Sequence, residues 1–589
     1  MAARQLFRND WRRMLFLQGR SPTMPRKMPV KAHSDRIREA DRVAGDTRRR
    51  SPREYERPGI QDSGQGRTLS TADAAFIYLE RKEMPLAIAC VTIFDGPIPF
   101  DEFVASIASK LHQVPRYQQV VVMPPLNIGL PTWEKDPHFD IRRHIFRVAL
   151  DPPGGQAELE ALAGRIFSRL LDRSKPLWEL YVVDGLKDGR GALIWRLHHA
   201  LADGISGTRL LEVFLDPTPD GSPALRRPRP QPPQPSNGAP AEGISGVVNT
   251  TLDGLITAER GLLGFAQALL GDLKQEGSKG LLNLLPELLV SVERLPFNKP
   301  CGEGRKFCWA DFEMAEVQAI REAVGGRVND VILAVLTRAL ARYVQMHGQS
   351  IMKRFVRIVC PVSMRKAGKD ESLGNQISFI VVALPMDIQD PAEMLRAIAA
   401  RTEAMKHSGA AALFGLAGAL IAKAPPPLQA LFWWGLPELI LPVPLFNMIC
   451  TNLPGPPIPL YAIGRRMIAA YPQVPTGYDL GINVAVESYD GKLFFGLVAD
   501  AQVASDVNRL RDFLYVSFQE LCAAARKQAH PAAKQPRRRR RKVTPRGRLA
   551  GRQPSKPADG VSPSIPESAV EGTLPPGPVA PAGAVNNVA

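Results

Sequence analysis

The residues best suited to chemistry lie in one short segment, Trp195-Arg196-Leu197-His198-His199-Ala200-Leu201-Ala202-Asp203-Gly204. An ordinary imidazole is mostly neutral at pH 7 and can accept a proton. Two histidines at the end of an apolar run therefore offer a general base, and an aspartate four residues on can return past a turn to hold local geometry. Neighbouring residues of an extended segment leave opposite faces, so only one histidine can face a given cleft. Adjacent histidines lack the i,i+4 spacing of a helical zinc pair, and no third ligand is evident. No G-x-S-x-G elbow stands near them. On the local pattern alone, a buried and satisfied histidine pair explains the segment equally well.

The surrounding pattern supplies elements to hold these side chains. Ala192–Leu197 reads as the strand that delivers the histidines, and Gly204 and Gly207 open a helix carrying Leu210, Leu211 and Phe214. Ser70-x-x-Asp73 reads as a helix start. Ala87–Phe94 and Leu180–Val183 read as strands, and Phe100–Leu111 and Ala157–Leu171 as helices. A second αβ half follows. Val317–Val324, Asn329–Met346, Pro391–Lys406 and Val507–Ala525 are expected to be helical. Phe355–Val362 and Ser378–Leu384 are expected strands, and Leu480–Ser488 with Leu493–Ala499 a hairpin around Asp490-Gly491. Thr451–Pro456 is expected to be a rigid loop.

The net charge of +17 sits at the ends of the 589-residue chain. Residues 1–70 hold 17 basic and 8 acidic side chains, residues 526–589 hold 13 and 3, and the body between them holds 45 and 47. The balanced body does not support a nucleic-acid-binding core. Six cysteines without a C-x-x-C pair suit a reducing compartment better than a disulfide scaffold. No apolar run near the start is long enough for a secretory signal, and Pro437, Glu438, Pro442 and Pro444 interrupt the best spanning candidate, Leu428–Ile449. The expected organisation is a basic disordered leader (1–68), a first lobe with the histidines (69–216), a Pro-rich linker (217–244) and a helical crossover (245–295). A second lobe (296–525) and a basic, then Pro/Ala-rich tail (526–589) complete it. Nine prolines within residues 217–240 mark the linker.

Taken with other segments, the histidine motif resembles a known family. His198-His199-x-x-x-Asp203-Gly204 matches the HHxxxDG motif of the CoA-dependent acyltransferase superfamily, which includes chloramphenicol acetyltransferase and peptide-synthetase condensation domains. Pro176-Leu177-Trp178, Asn329-Asp330, Pro361-Val362-Ser363-Met364-Arg365, Leu373-Gly374-Asn375 and Thr451-Asn452-Leu453-Pro454-Gly455-Pro456 occur in order, followed by Ser488-Tyr489-x-Gly491 and Asp500. From about Leu69 to Ala525 this series resembles the bacterial wax ester synthase/diacylglycerol acyltransferase family.

The resemblance implies an α/β (mixed α+β) fold with two chloramphenicol-acetyltransferase-like lobes and a tunnel between them, flanked by disordered basic ends. It implies transfer of an acyl group from acyl-CoA to diacylglycerol, to a long-chain alcohol, or to both. His199 would be the general base, His198 the support of the loop, Asp203 and Gly204 structural, and Asn375 a donor to the oxyanion. Pro176, Leu177, Trp178, Asn329 and Asp330 become candidate substrate-binding residues, although N-capping of the following apolar helix explains Asn329-Asp330 and core packing explains Trp178. Acyl-CoA is a co-substrate; no cofactor and no metal are expected. The apolar, Trp433-Trp434-bearing stretch 428–449 suggests peripheral contact with an inner membrane or lipid body from the cytoplasmic side. The alternatives are a catalytically silent lipid-binding protein on the same fold, or a related transferase with another acceptor.

Overall fold

The computed structural model describes residues 68–529, apart from 202–203, 222–292, 364–376, 408–420, 422–423, 425 and 436–445. The leader, most of the Pro-rich linker, nearly all of the expected crossover and the tail beyond 529 lie outside the described residues, as do Asp203 and Asn375.

The first half runs α1 (Thr71–Leu79), β1 (Ala87–Phe94), α2 (Phe100–Lys110), β2 (Gln119–Val122), β3 (Thr132–Lys135), β4 (Ile145–Ala149), α3 (Gln156–Phe167), β5 (Trp178–Asp184), β6 (Gly191–His198) and α4 (Gly204–Phe214). The second begins with β7 (Arg305–Glu313), α5 (Met314–Val324), α6 (Val328–Met346), β8 (Phe355–Ser363), β9 (Ile377–Pro385), α7 (Pro391–His407) and α8 (Pro426–Gly435). It closes with β10 (Met448–Pro454), β11 (Tyr461–Ala462), β12 (Arg465–Gln473), β13 (Ile482–Tyr489), β14 (Lys492–Asp500) and α9 (Val507–Ala529). Ser70 starts α1 as its spacing predicts: its Oγ accepts from the Asp73 N–H at 3.1 Å and donates to Asp73 Oδ2 at 2.7 Å. The β13–β14 turn places Asp490 and Gly491 at φ 42° and 83°, the left-handed pair that a two-residue hairpin favours.

Two six-stranded sheets result, ordered β11-β12-β1-β6-β5-β4 and β7-β14-β13-β10-β8-β9. This corrects the expected boundary of the second lobe, because Tyr461–Gln473 leaves the second half to complete the first sheet. β12 pairs antiparallel with β1 from Ala89↔Gln473 to Phe94↔Met467. The physical reason lies in β1, which is buried along nearly its whole length. An apolar strand left as an open edge invites mispairing, and β12 covers it. A second correction concerns Thr451–Pro456, most of which is strand and not loop. β10 pairs in parallel with β13 from Cys450↔Val484 to Pro454↔Ser488. Thr451 and Asn452 are polar and half-buried, so the segment lacks the apolar signature of a strand, and its terminal proline disguised it further.

One buried guanidinium ties the halves together. Arg305 Nη1 donates to Asp500 Oδ2 at 3.1 Å, while Nη2 donates to the Glu83 carbonyl and to Thr476 O at 3.1 Å. Its backbone N–H donates to Ser168 Oγ at 2.8 Å. Asp500 is fully buried and caps Gln502 and Val503 through Oδ1. Removing the arginine would strand that carboxylate, a change that destabilises by about 3–5 kcal/mol in comparable buried pairs.

Candidate active site

β6 ends at the histidines, where backbone bonds fix the chain. The His198 N–H donates to Leu177 O and the His199 N–H to Leu86 O, each at 2.9 Å. The side chains then part, as the pleat requires. His198 is fully buried. Its Nδ1 accepts the Ala200 N–H at 3.0 Å, which leaves Nε2 to carry the proton, 3.4 Å from Glu80 Oε1. Glu80 also accepts from the Leu86 N–H at 3.0 Å and Arg173 Nη2 at 3.1 Å. Burial alone would raise the Glu80 carboxyl, but the adjacent His198 imidazole, the Leu86 N–H and the nearby Arg173 bring it down to about 2.

His199 takes the other face. It is half-buried, borders a cavity of about 380 Å³, and stacks on Phe76 of α1 with ring centroids 4.0 Å apart and planes 10° from parallel. The cavity draws Leu86, Ile88 and Cys90 from the first half, and Thr451, Asn452 and Glu487 from the second. Leu210, Leu211 and Phe214 of α4 form an apolar wall. Lys110 Nζ clamps the far end of α4, donating to Phe214 O at 2.7 Å and lying 3.1 Å from Asp216 Oδ1.

The other expected site residues divide. Leu177 is buried, and its carbonyl supports His198. Pro176 O accepts from the Trp178 N–H at 2.9 Å. Trp178 borders the cavity, donates Nε1–H to Tyr117 O at 2.8 Å and stacks on His144. Packing and cavity lining are thus one role for this residue. Gly204 opens α4. Asn329 and Asp330 sit in the first turn of α6 and are not among the cavity-lining residues. Asp330 accepts from the Arg327 N–H at 2.8 Å and the Thr402 hydroxyl at 2.7 Å, which is a capping arrangement.

Three carboxylates here were not expected from the sequence: Glu80, Glu179 and Glu487. Arg196 is buried and borders the cavity, with Nη1 3.3 Å from Glu179 Oε2, and Glu179 also lies 3.5 Å from Lys175 Nζ. Glu487 interrupts the apolar run Val484-Ala485-Val486, and that interruption is the signal that could have found it. Among the described residues, no group of three or more His, Cys, Asp or Glu side chains is placed to hold a metal ion, and no helix is long and apolar enough to cross a membrane.

Comparison with known proteins agrees with this geometry. The wax ester synthase/diacylglycerol acyltransferase catalytic domain matches residues 69–332, and the C-terminal domain of the same family matches residues 373–522. The chain belongs to this family. It is 31% identical over 446 residues to tgs1 of Mycobacterium tuberculosis, named as a probable diacylglycerol O-acyltransferase, covering 75% of this chain and 93% of that protein. Its identity to tgs2 of the same organism, named likewise, is 30% over 459 residues, covering 76% and 97%. Among solved structures it is similar to the wax ester synthase/diacylglycerol acyltransferase of Marinobacter aquaeolei VT8, at 25% identity and a TM-score of 0.55, covering 78% of this chain and 100% of that one. Family membership makes this protein an acyltransferase of triacylglycerol and wax ester synthesis. The acyltransferase carries β12, which completes its first sheet, inside the region matched by the C-terminal domain.

Proposed function

We propose that His199 is the general base of an acyl-CoA-dependent O-acyltransferase whose acceptor is diacylglycerol, a long-chain alcohol, or both. The acceptor hydroxyl gives its proton to the His199 imidazole as its oxygen attacks the thioester carbonyl. The tetrahedral intermediate collapses by breaking the carbon–sulfur bond, and the CoA thiolate takes the proton back. Ester and free CoA leave, and no acyl-enzyme forms. Asn375 is the candidate donor to the oxyanion, and Pro176, Leu177 and Trp178 shape the site. The basic ends, 1–68 and 526–589, stand outside the catalytic body in this reading. The observation that carries it is the division of the tandem: one imidazole is locked against Glu80, and its neighbour opens on a cavity lined from both halves.

A lipid surface is the source of such acceptors, and α8 supports a docking place for it. Leu428, Leu431, Phe432 and Trp434 are exposed on α8, while Ala430 is buried in the first core. Trp434 meets Tyr78 of α1 edge-on at 5.9 Å, and α1 carries the Phe76 that stacks on His199. The reading is therefore peripheral association with an inner membrane or lipid body through α8. Incubating the protein with palmitoyl-CoA and either dioleoylglycerol or hexadecanol, followed by thin-layer chromatography, tests the activity. Ester is expected from at least one acceptor; none from either would overturn the proposal.

A further inference from the structure

The reaction as proposed makes no use of Glu487. This residue lies on β13, is 1% exposed, and borders the same cavity as His199. Its Oε1 has no hydrogen-bond partner among the described residues, and its Oε2 faces the Cys90 thiol at 4.0 Å, beyond effective bonding distance. The neighbouring backbone is fitted closely around it. A Cβ on Gly455 would come within 2.9 Å of Glu487 Oε1 and 2.3 Å of Ser488 O. An unpartnered carboxyl in such a place disfavours the empty protein, and a valine or leucine would satisfy the surrounding apolar strand better. Its retention in the cavity wall makes sense if a ligand completes it.

The chemistry of that ligand follows from the state of the carboxyl and from its position. Burial pushes Glu487 up to about 8, so at pH 7 it carries its proton and offers an O–H donor. The position can be counted along β1. His199 is bonded to Leu86 and Glu487 faces Cys90. Four residues of extended chain separate those two levels, roughly 13 Å of strand. Glu487 is thus remote from the proton that His199 moves, yet within the length of a substrate threading the cavity.

We infer that Glu487 is a positioning residue whose O–H donates to a substrate carbonyl oxygen, of an amide or an ester, held on the order of 10 Å along the cavity from the reacting centre. This inference rests on reading the cavity as the acyl-transfer tunnel. Two substrates carry such a carbonyl: acyl-CoA in the amides of its pantetheine arm, and diacylglycerol in its esters. A fatty alcohol carries none.

Steady-state kinetics of the full chain distinguish the sources, using palmitoyl-CoA with dioleoylglycerol or hexadecanol. Glu487→Leu removes the donor, and the KM of the substrate it holds should rise about tenfold, the worth of one hydrogen bond. Glu487→Gln keeps an N–H donor and should remain within about threefold of the parent. A raised KM for palmitoyl-CoA with both acceptors assigns the carbonyl to the pantetheine arm. A raised KM for dioleoylglycerol alone assigns it to the glyceride. Unchanged KM values in Glu487→Leu, or equal losses in the leucine and glutamine variants, overturn the inference. Should the leucine variant fail to fold, Glu487→Met is read in the same way. If the parent transfers to neither acceptor, the tunnel reading itself has failed. Calorimetric titration with palmitoyl-CoA and with dioleoylglycerol in detergent then decides for Glu487: binding of either about tenfold weaker in the leucine variant supports it, and equal binding of both overturns it.

Discussion

Two carboxyls border the histidine site from opposite halves of the molecule, and they are driven in opposite directions. Glu80, after α1, is held down to about 2, and Glu487, on β13, is pushed up to about 8. Both are buried, so burial does not separate them. Partners do. Glu80 has His198, Arg173 and a backbone N–H; the Glu487 carboxyl has a distant thiol. The comparison teaches that a buried charge with its partners in place is doing structural duty, while a buried polar group without them marks where a ligand goes. The histidines divide in the same way, His198 with the paired carboxyl and His199 with the open cavity.

The largest effect that would break this comparison is on turnover. His199→Ala should lose at least about a hundredfold in kcat, since a positioned base is worth typically 10²–10⁴-fold, while folding and acyl-CoA binding persist. His198→Ala should lose stability and activity together, because it frees Glu80 and the Ala200 N–H. Parallel kinetics and thermal melts check both. A folded His199→Ala protein with near-normal turnover would place the base elsewhere.

A smaller effect lies in acid. The folded value of Glu80 is below its ordinary 4.5, so its contribution is present above about pH 4.5 and is lost as pH falls towards 2. Glu80→Gln should therefore be less stable than the parent near neutrality, by up to about 3 kcal/mol, with the gap closing below pH 4. Urea melts at pH 7 and pH 3 measure the gap. A difference that does not change with pH would show that Glu80 acts by shape alone.

How much of this could be read beforehand depended on the range of the interaction. The strands Ala87–Phe94 and Ala192–Leu197, the helix start at Ser70 and the Asp490-Gly491 turn were legible because each is written in residues that touch one another along the chain. The opposite faces of His198 and His199 followed from the pleat. The crossing of β12 into the first sheet was not legible. It depends on β1, more than 370 residues away, needing a partner on its second edge. Glu80 was hidden for the same reason: nothing in Leu79-Glu80-Arg81 announces that His198 will lie 3.4 Å away. Asn329-Asp330 illustrates the reverse case. The local pattern already gave a capping role, and Asp330 takes it by accepting the Arg327 N–H.

Glu487 yields an effect of opposite sign to that of Glu80. Its folded value lies above 4.5, so the stability tied to its neutral form is fully present below pH 4.5 and is lost as pH rises through about 8. Each pH unit in that window removes up to about 1.4 kcal/mol. Glu487→Gln does not titrate, and its melting temperature relative to the parent should climb between pH 5 and pH 8. A constant offset across that range would mean that Glu487 is already ionised or already satisfied in the folded protein, and the contrast with Glu80 would collapse.

The smallest effect extends the comparison to the surface. If an unsatisfied feature marks a ligand, the exposed apolar residues of α8 mark a lipid surface, as Glu487 marks a substrate carbonyl. Leu428 and Leu431 are 48% and 64% exposed, so replacing them removes little packing from the folded protein. Leu428→Ser with Leu431→Ser should leave melting and detergent-supplied turnover within about twofold, because exposed substitutions rarely shift stability by more than ±0.5 kcal/mol. Partitioning onto vesicles containing dioleoylglycerol should weaken by roughly tenfold, the scale set by two partly inserted leucines. Turnover on those vesicles should fall in proportion, since acceptor then reaches the cavity less often. Vesicle flotation and vesicle-based assays read the two quantities separately. Unchanged flotation would remove α8 from the lipid contact, and the search for the membrane face would move to the basic ends, where salt sensitivity replaces apolar area as the signature.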